Sequence, residues 1–260
     1  MTRLFDRRYK LTVDGVIEVE DLDIGFAVSK SIKKHPNKAE IVVYNLSPDT
    51  RGKIDGKRDR LGKLTNPVKC ELEAGYADGM SLIFAGELHT VFTERQGPDI
   101  VTHFASADGL AATRQGSASF SVKKGTGVAD VLKKLGRELF KTGTAKLGNL
   151  DQIAGSASIT GMGSTFPEGT VVDGPAYDEL ERIADSCGFE LSIQNGALQF
   201  KRKGQPLDEE AIELSPTSGL IGSPTVEAQQ DPGKTKPSEK FMLAQCLLIP
   251  GIFPGRKVNL

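Results

Sequence analysis

The feature that most constrains this chain is the rhythm of its first 115 residues. Short β-prone runs recur roughly every ten residues, and turn-forming residues separate them. Residues 8–13 and 16–20 flank Asp14-Gly15, a dipeptide suited to the positive φ angles of a two-residue type I′ hairpin turn. Residues 23–31 alternate, with Ile24, Phe26 and Val28 on one side. Residues 37–44 form the next strand, with the β-branched run Ile41-Val42-Val43 ahead of Tyr44. A corner follows at Asn45-Leu46. Ser47 is placed to cap a short helix, Pro48 suits its first position, and Asp49 suits the positive end of its dipole. That helix should end near Asp55-Gly56, before a charged loop at 57–63. Val68, Cys70 and Leu72 alternate. Residues 81–94 form a long strand in which Gly86 is the expected bulge. Residues 100–107 alternate and end at Asp108-Gly109. This spacing predicts an antiparallel barrel or sandwich.

The pattern changes after Ser117. A short strand is expected at 119–122, then a helix opened by Gly125-Thr126-Gly127, with Thr126 as its cap. Val128, Val131, Leu132, Leu135 and Leu139 form a helical stripe. Residues 142–169, rich in Gly, Ser, Thr and Ala, read as a long connection or one weak strand with loops. A second helix spans 175–187, with Tyr177, Leu180, Ile183 and Ala184 inward and Gly188 as the residue past its end. In the next segment, 189–203, Asn195-Gly196 sets a hairpin register that pairs Ile193 with Leu198 and Leu191 with Phe200. The end of the chain returns to β: strands at 212–214, 220–226 and 243–249, a polar mobile loop at 231–240, and a last short strand after Pro250.

Little here looks like catalysis. The formal net charge of -1 supplies no basic field to recruit nucleic acid. Lys30, Lys33, Lys34 and His35 read as a solvated loop. Cys70, Cys187 and Cys246 lack metal or disulfide spacing and read as small buried hydrophobes of a protein made in a reducing cytoplasm. The N-terminal MTRLFDRRYKL has no signal-peptide core, and no apolar run reaches the ~20 residues of a membrane helix. His89 and His103 lie on neighbouring expected strands and could meet across the sheet, with Glu87 or Asp108 as guessed third ligands; two surface or half-buried structural histidines is the better reading, and His35 lies in a loop before Pro36. Ser31 and Lys34 have the S-x-x-K spacing without its companion motifs. Gly161 and Gly163 complete no phosphate loop. Glu179, Glu181 and 208–210 read as solvated carboxylates. No catalytic, cofactor-binding or metal-ligating set is assigned.

Five stretches, in order, resemble the baseplate hub proteins of long-tailed phages, the Mu-like and related contractile-tail hubs. They are AEIVVYNLSPDTRGKI (39–54), VKCELEAGYADGMSLIFAGEL (68–88), DIVTHFASADG (99–109), TSGLIGSPTVE (217–227) and CLLIPGIFPGRKVNL (246–260). The resemblance implies a mainly β fold with an α+β insert: two antiparallel β-barrel-like domains plus a small helix–hairpin unit. The expected division is a first barrel at 1–115, an α/β unit at 116–203, and a segment at 204–260 completing the second barrel. It also implies a homotrimer whose two similar barrels per subunit give near-sixfold character, so that a threefold spike can dock on a sixfold tube. The implied partners are the tail spike, the tail tube and other baseplate proteins, in the virion tail. With the chain ending at Leu260, the spike is expected to be another chain. A heterologous ring needs two complementary patches per subunit, so some apolar residues exposed on one chain should be covered in the assembly. Two other classes compete. One is a β-barrel module binding carbohydrate or another ligand, against which stand 6% aromatic residues and no Trp. The other is a hydrolase using Asp108, His103 or His89.

Overall fold

The computed structural model describes residues 6–33, 35–57, 64, 67–141, 146–150, 165–229 and 239–260, and these are mostly β. The N-terminal half builds one antiparallel sheet. Its strands are β1 (Arg7–Val13), β2 (Ile17–Val19), β3 (Ile24–Ser29), β4 (Lys38–Tyr44), β5 (Val68–Tyr76), β6 (Gly79–Gln96) and β7 (Asp99–Ala107), in the spatial order β2-β1-β5-β6-β7-β4-β3. Alternation along each strand sends one set of side chains inward. Leu11, Ile41, Val43, Cys70, Leu72, Phe84 and Phe104 all bury in one cluster. Ile17 and Val19 from one edge strand and Phe26 and Val28 from the other join that same cluster, so the sheet curls around its own inner face.

The Ser47 corner forms as expected. Ser47 Oγ accepts from the Thr50 backbone N–H at 3.1 Å, and the helix α1 (Pro48–Asp55) sends Ile54 into the core. Asn45, at φ 56°, exchanges hydrogen bonds with β7: its N–H reaches the Ile100 carbonyl at 2.7 Å, and its Oδ1 accepts from Ile100 N–H at 3.0 Å. The corner is thereby pinned across the sheet.

Three local expectations differ from what forms. Asp14 and Gly15 do have positive φ, but Val13 pairs with Ile17, so Val16 joins them in a three-residue loop. Gly86 is regularly paired, opposite Cys70. The bulged residues are Ile83 and His89, where the ladders to β5 and β7 each slip by one. Glycine is needed at 86 for clearance, because a Cβ there would lie 2.8 Å from the Ala107 carbonyl oxygen. A short helix, α2 (Leu110–Gln115), also follows β7, where the sequence pattern marks only the Asp108-Gly109 turn.

The second unit contains β8 (Ser117–Val122), α3 (Val128–Leu139), β9 (Thr170–Pro175), α4 (Ala176–Ser186), β10 (Phe189–Gln194) and β11 (Ala197–Arg202). β8 pairs with β9, and β10 with β11. All five stripe residues of α3 bury, and so do Tyr177, Leu180, Ile183 and Ala184 of α4. The two helices pack against each other, and α4 lies on β10. The hairpin register is the expected one, with positive φ at Asn195 and Gly196. Thr126 is not the cap of α3: the capping residue is Gly127, and Thr126 Oγ1 donates to the Lys123 carbonyl at 2.8 Å. Residues 146–150 run beside β11, with Asn149 bonding both the N–H and the carbonyl of Phe200 at 2.8 Å. Of the weakly patterned 142–169 stretch, 142–145 and 151–164, including Gly161 and Gly163, lie outside the described residues.

The C-terminal part has β12 (Ile212–Glu213), β13 (Leu220–Gln229), β14 (Glu239–Cys246) and β15 (Val258–Asn259). β12 and β15 pair in parallel over two residues. β13 and β14 form an antiparallel ribbon that is longer at its far end than expected, with Glu239 and Lys240 already in the ladder. The expected loop at 231–240 otherwise lies outside the described residues. β14 ends at Cys246, so 247–249 follow it without strand pairing.

Candidate interaction surfaces

Two regions stand out, a polar joint and an exposed ribbon. The joint forms where the Asn195-Gly196 turn meets the end of the seven-stranded sheet. Asp108, directly after β7, is almost wholly buried, and its Oδ1 accepts from Gly196 N–H at 2.8 Å. Lys30, directly after β3, donates from Nζ to Asn195 Oδ1 at 2.6 Å, and Ala85 N–H donates to the same oxygen at 3.2 Å. Asn37 Nδ2 donates to the Ile193 carbonyl and to Gln194 Oε1, both at 2.9 Å, while its Oδ1 accepts from Ser31 N–H at 2.8 Å. Gln194 Nε2 returns a bond to the Ser31 carbonyl at 2.8 Å. Burial pushes the Asp108 carboxyl up to about 6, with the Gly196 N–H opposing. Burial likewise pulls the Lys30 ammonium down to about 8, and the Asp108 charge opposes that. The joint holds two units together: apart from Asp108 Oδ2, which is buried without a hydrogen-bond partner, its groups satisfy one another across the contact, and leaving either side unpaired would cost more than the bonds are worth singly.

Lys30 is therefore half-buried and committed to the hairpin turn, not a member of a solvated basic loop. Ser31 uses its backbone and its Oγ, which accepts from Lys33 N–H, to shape that loop; Lys34 lies outside the described residues. The histidines do not meet. His103 sits opposite Phe92, stacks on it with ring centres 4.4 Å apart, and bonds Glu94 at 3.1 Å. His89 is bulged out of the ladder and bonds Thr90 Oγ1 at 3.0 Å; burial, with Arg114 and Lys38 nearby, lowers its pKa. Glu87 is buried and accepts from Ala111 N–H at 2.7 Å, which satisfies an otherwise open donor at the start of α2. Among the described residues, no three His, Cys, Asp or Glu side chains converge as a metal set. Glu179 pairs with Arg182 one turn along α4, and Glu209 lies 3.6 Å from Arg256. Cys70 is fully buried and its thiol is pushed up to about 12; Cys187 is also buried, while Cys246 is partly exposed at the base of the ribbon.

The ribbon is the opposite kind of surface. Opposed residues share a face, so Thr225, Leu243, Glu227 and Phe241 lie on one side, and Val226, Met242, Ala228 and Lys240 on the other. Apolar side chains are exposed on both: Val226 at 64%, Met242 at 57%, Leu243 at 47% and Phe241 at 41%. Among the described residues, β13 and β14 make extensive contact only with each other. A two-stranded ribbon with both faces in water is marginal by itself.

Beside the ribbon's base runs an apolar groove along edge strand β3. One end, about 460 Å3, is lined by Tyr9, Ile24, Phe26, Ile221 and Leu248; the other, about 720 Å3, by Phe26, Val28, Leu82, Leu248, Ile252 and Phe253. Phe26 and Leu248 belong to both.

The chain matches the family described as Baseplate hub gp41 over residues 8–229, which spans the sheet, the α/β unit and the first arm of the ribbon. The chain belongs to that baseplate hub family. No curated protein sequence matches it. Solved structures similar to this hub include the tail protein from Neisseria meningitidis MC58, at TM-score 0.54 and 13% identity, covering 98% of this chain and 72% of that one. The 43 kDa tail protein of prophage MuSo2 from Shewanella oneidensis is similar at TM-score 0.54 and 11% identity, covering 86% and 63%. A chain of the half-lidded Francisella PdpA-VgrG complex is similar at TM-score 0.52 and 8% identity, covering 98% and 44%. The hub thus spans under two thirds of the latter two. At these identities the likeness is one of fold. Family membership makes the chain a baseplate hub component, as the five resembling stretches implied.

Proposed function

We propose that this chain is a non-enzymatic structural hub, three copies of which close a ring between the tail tube and the central spike. The observation that carries the reading is the ribbon: a family baseplate component presents a two-faced apolar element that nothing covers among the described residues. The residues that a hydrolase would need point the same way. Asp108 is engaged in the joint, His103 is stacked on Phe92, and His89 is held in a bulge, so no nucleophile and base face one another there. In this reading the curled sheet of 1–115 is one barrel-like domain, 116–203 is the α/β unit fixed to it by the polar joint, and 204–260 supplies a second barrel-like surface. Two such domains in each of three subunits give the near-sixfold face that a tube requires.

The test is to label purified phage particles with antibody against the chain and locate the label by electron microscopy. Label at the tail end far from the head is the expected outcome. Label on the capsid, or none on intact particles that contain the chain, would overturn the reading.

A further inference from the structure

Resting on the ring reading, we propose that the ribbon β13–β14 of each subunit lies in the groove beside β3 of the next, so that the two form the complementary patches of one heterologous interface. Four observations lead there. Among the described residues only the ribbon's base meets its own chain: Ile221 and Gln245 line one end of the groove, while Val226, Phe241, Met242 and Leu243 beyond them are exposed. Its ten-residue arm β13 spans roughly 33 Å, enough to cross a neighbouring domain. The groove offers an apolar floor of Phe26, Val28, Leu248 and Phe253, matched to the ribbon face that carries Phe241 and Leu243. Charge is complementary as well. Glu227 shares that ribbon face, and Lys33 lines the receiving groove.

The receiving strand adds direction. β3 pairs only with β4, so its other side presents backbone donors and acceptors that no strand uses among the described residues. Each arm of the ribbon likewise has an edge that no strand pairs with among the described residues. An edge strand flanked by an apolar groove is a site where an extended segment adds to a sheet, with main-chain bonds for affinity and side-chain pockets for specificity. Donor and acceptor sit on the same chain but at different places, so the contact is head-to-tail, and it closes when the rotation per subunit suits a ring.

The experiment uses the full chain and three forms of it. One carries Phe241→Asp with Leu243→Asp on the ribbon. The second carries Ile252→Asp in the groove, at a residue 37% exposed and outside any strand. The third is unaltered. Mass is measured by light scattering behind size exclusion, with circular dichroism to confirm that each form is folded. The unaltered chain should be a trimer and each variant a monomer. An equimolar mixture of the two variants should recover a two-chain complex, because one keeps its groove and the other its ribbon. Variants that remain trimers overturn the ribbon-in-groove assignment and leave the ring standing, as does a mixture that stays monomeric. An unaltered chain that is monomeric at every concentration overturns the ring, and this inference with it.

Discussion

The curled sheet and the ribbon are built from the same kind of strand and end in opposite states. In the sheet, alternation gives one apolar and one polar face, and curling lets the apolar face cover itself: Leu11, Ile41, Leu72, Phe84 and Phe104 are each at most 2% exposed. In the ribbon, apolar side chains occupy both faces, and curling cannot cover both. A sheet that hides one face is finished within one chain. A ribbon with two apolar faces is finished only by another surface. The contrast separates stability, which the buried cores of the sheet and the α/β unit supply, from the proposed assembly, which is assigned to the ribbon.

That separation can be broken by substitution. Phe104→Ala in the sheet core should lower unfolding free energy by about 3–5 kcal/mol, measured by urea titration. A loss under ~1 kcal/mol would mean that the curled core is not the main source of stability. The polar joint gives the next effect. The Asp108 carboxyl is raised to about 6 in the folded chain, against 3.8 as its ordinary value. The folded state therefore holds that proton more tightly, and the stability it contributes is complete below pH ~4 and lost as pH rises to ~6, worth at most about 3 kcal/mol. Asp108→Asn should remove this step, so that the variant's unfolding midpoint falls less between pH 4 and 6 than the parent's. Parallel curves would detach Asp108 from the coupling. Ser47→Ala should cost about 1 kcal/mol, because Thr50 N–H loses its acceptor at the start of α1. Last, Val226→Thr on the ribbon should leave the unfolding of dilute chain unchanged within roughly 0.5 kcal/mol. A loss comparable to that of Phe104→Ala would show that the ribbon belongs to the fold of the single chain.

What could be read ahead of the structure follows the same physical division between local and distant. Asn195-Gly196 fixes a register through the φ angles of two residues, so Leu191 opposite Phe200 was legible. Ser47, Pro48 and the α3 stripe are equally local. The strand order was not, because β1 pairs with β5 and β4 with β7 across long stretches of chain, pairings that no turn dictates. The bulges at Ile83 and His89 arise from matching a long strand to two partners at once, and Gly86 is required for clearance from the Ala107 carbonyl rather than for a bulge. α2 has six residues and no apolar stripe. The joint escaped because Lys30 and Asn195 are 165 residues apart, and a lysine in a basic run reads as solvated until its acceptor is seen. The ribbon was visible as two strands. That both its faces are exposed follows from Val226 pairing with Met242 one step along from Thr225 and Leu243, a register that sequence alone did not set.

The most direct test of the account is the mass of the intact chain in solution, followed over a range of concentrations by light scattering. A species at three times the 27.9 kDa chain mass, dissociating on dilution without unfolding, is the predicted result. A folded monomer that persists at the highest concentration would contradict it.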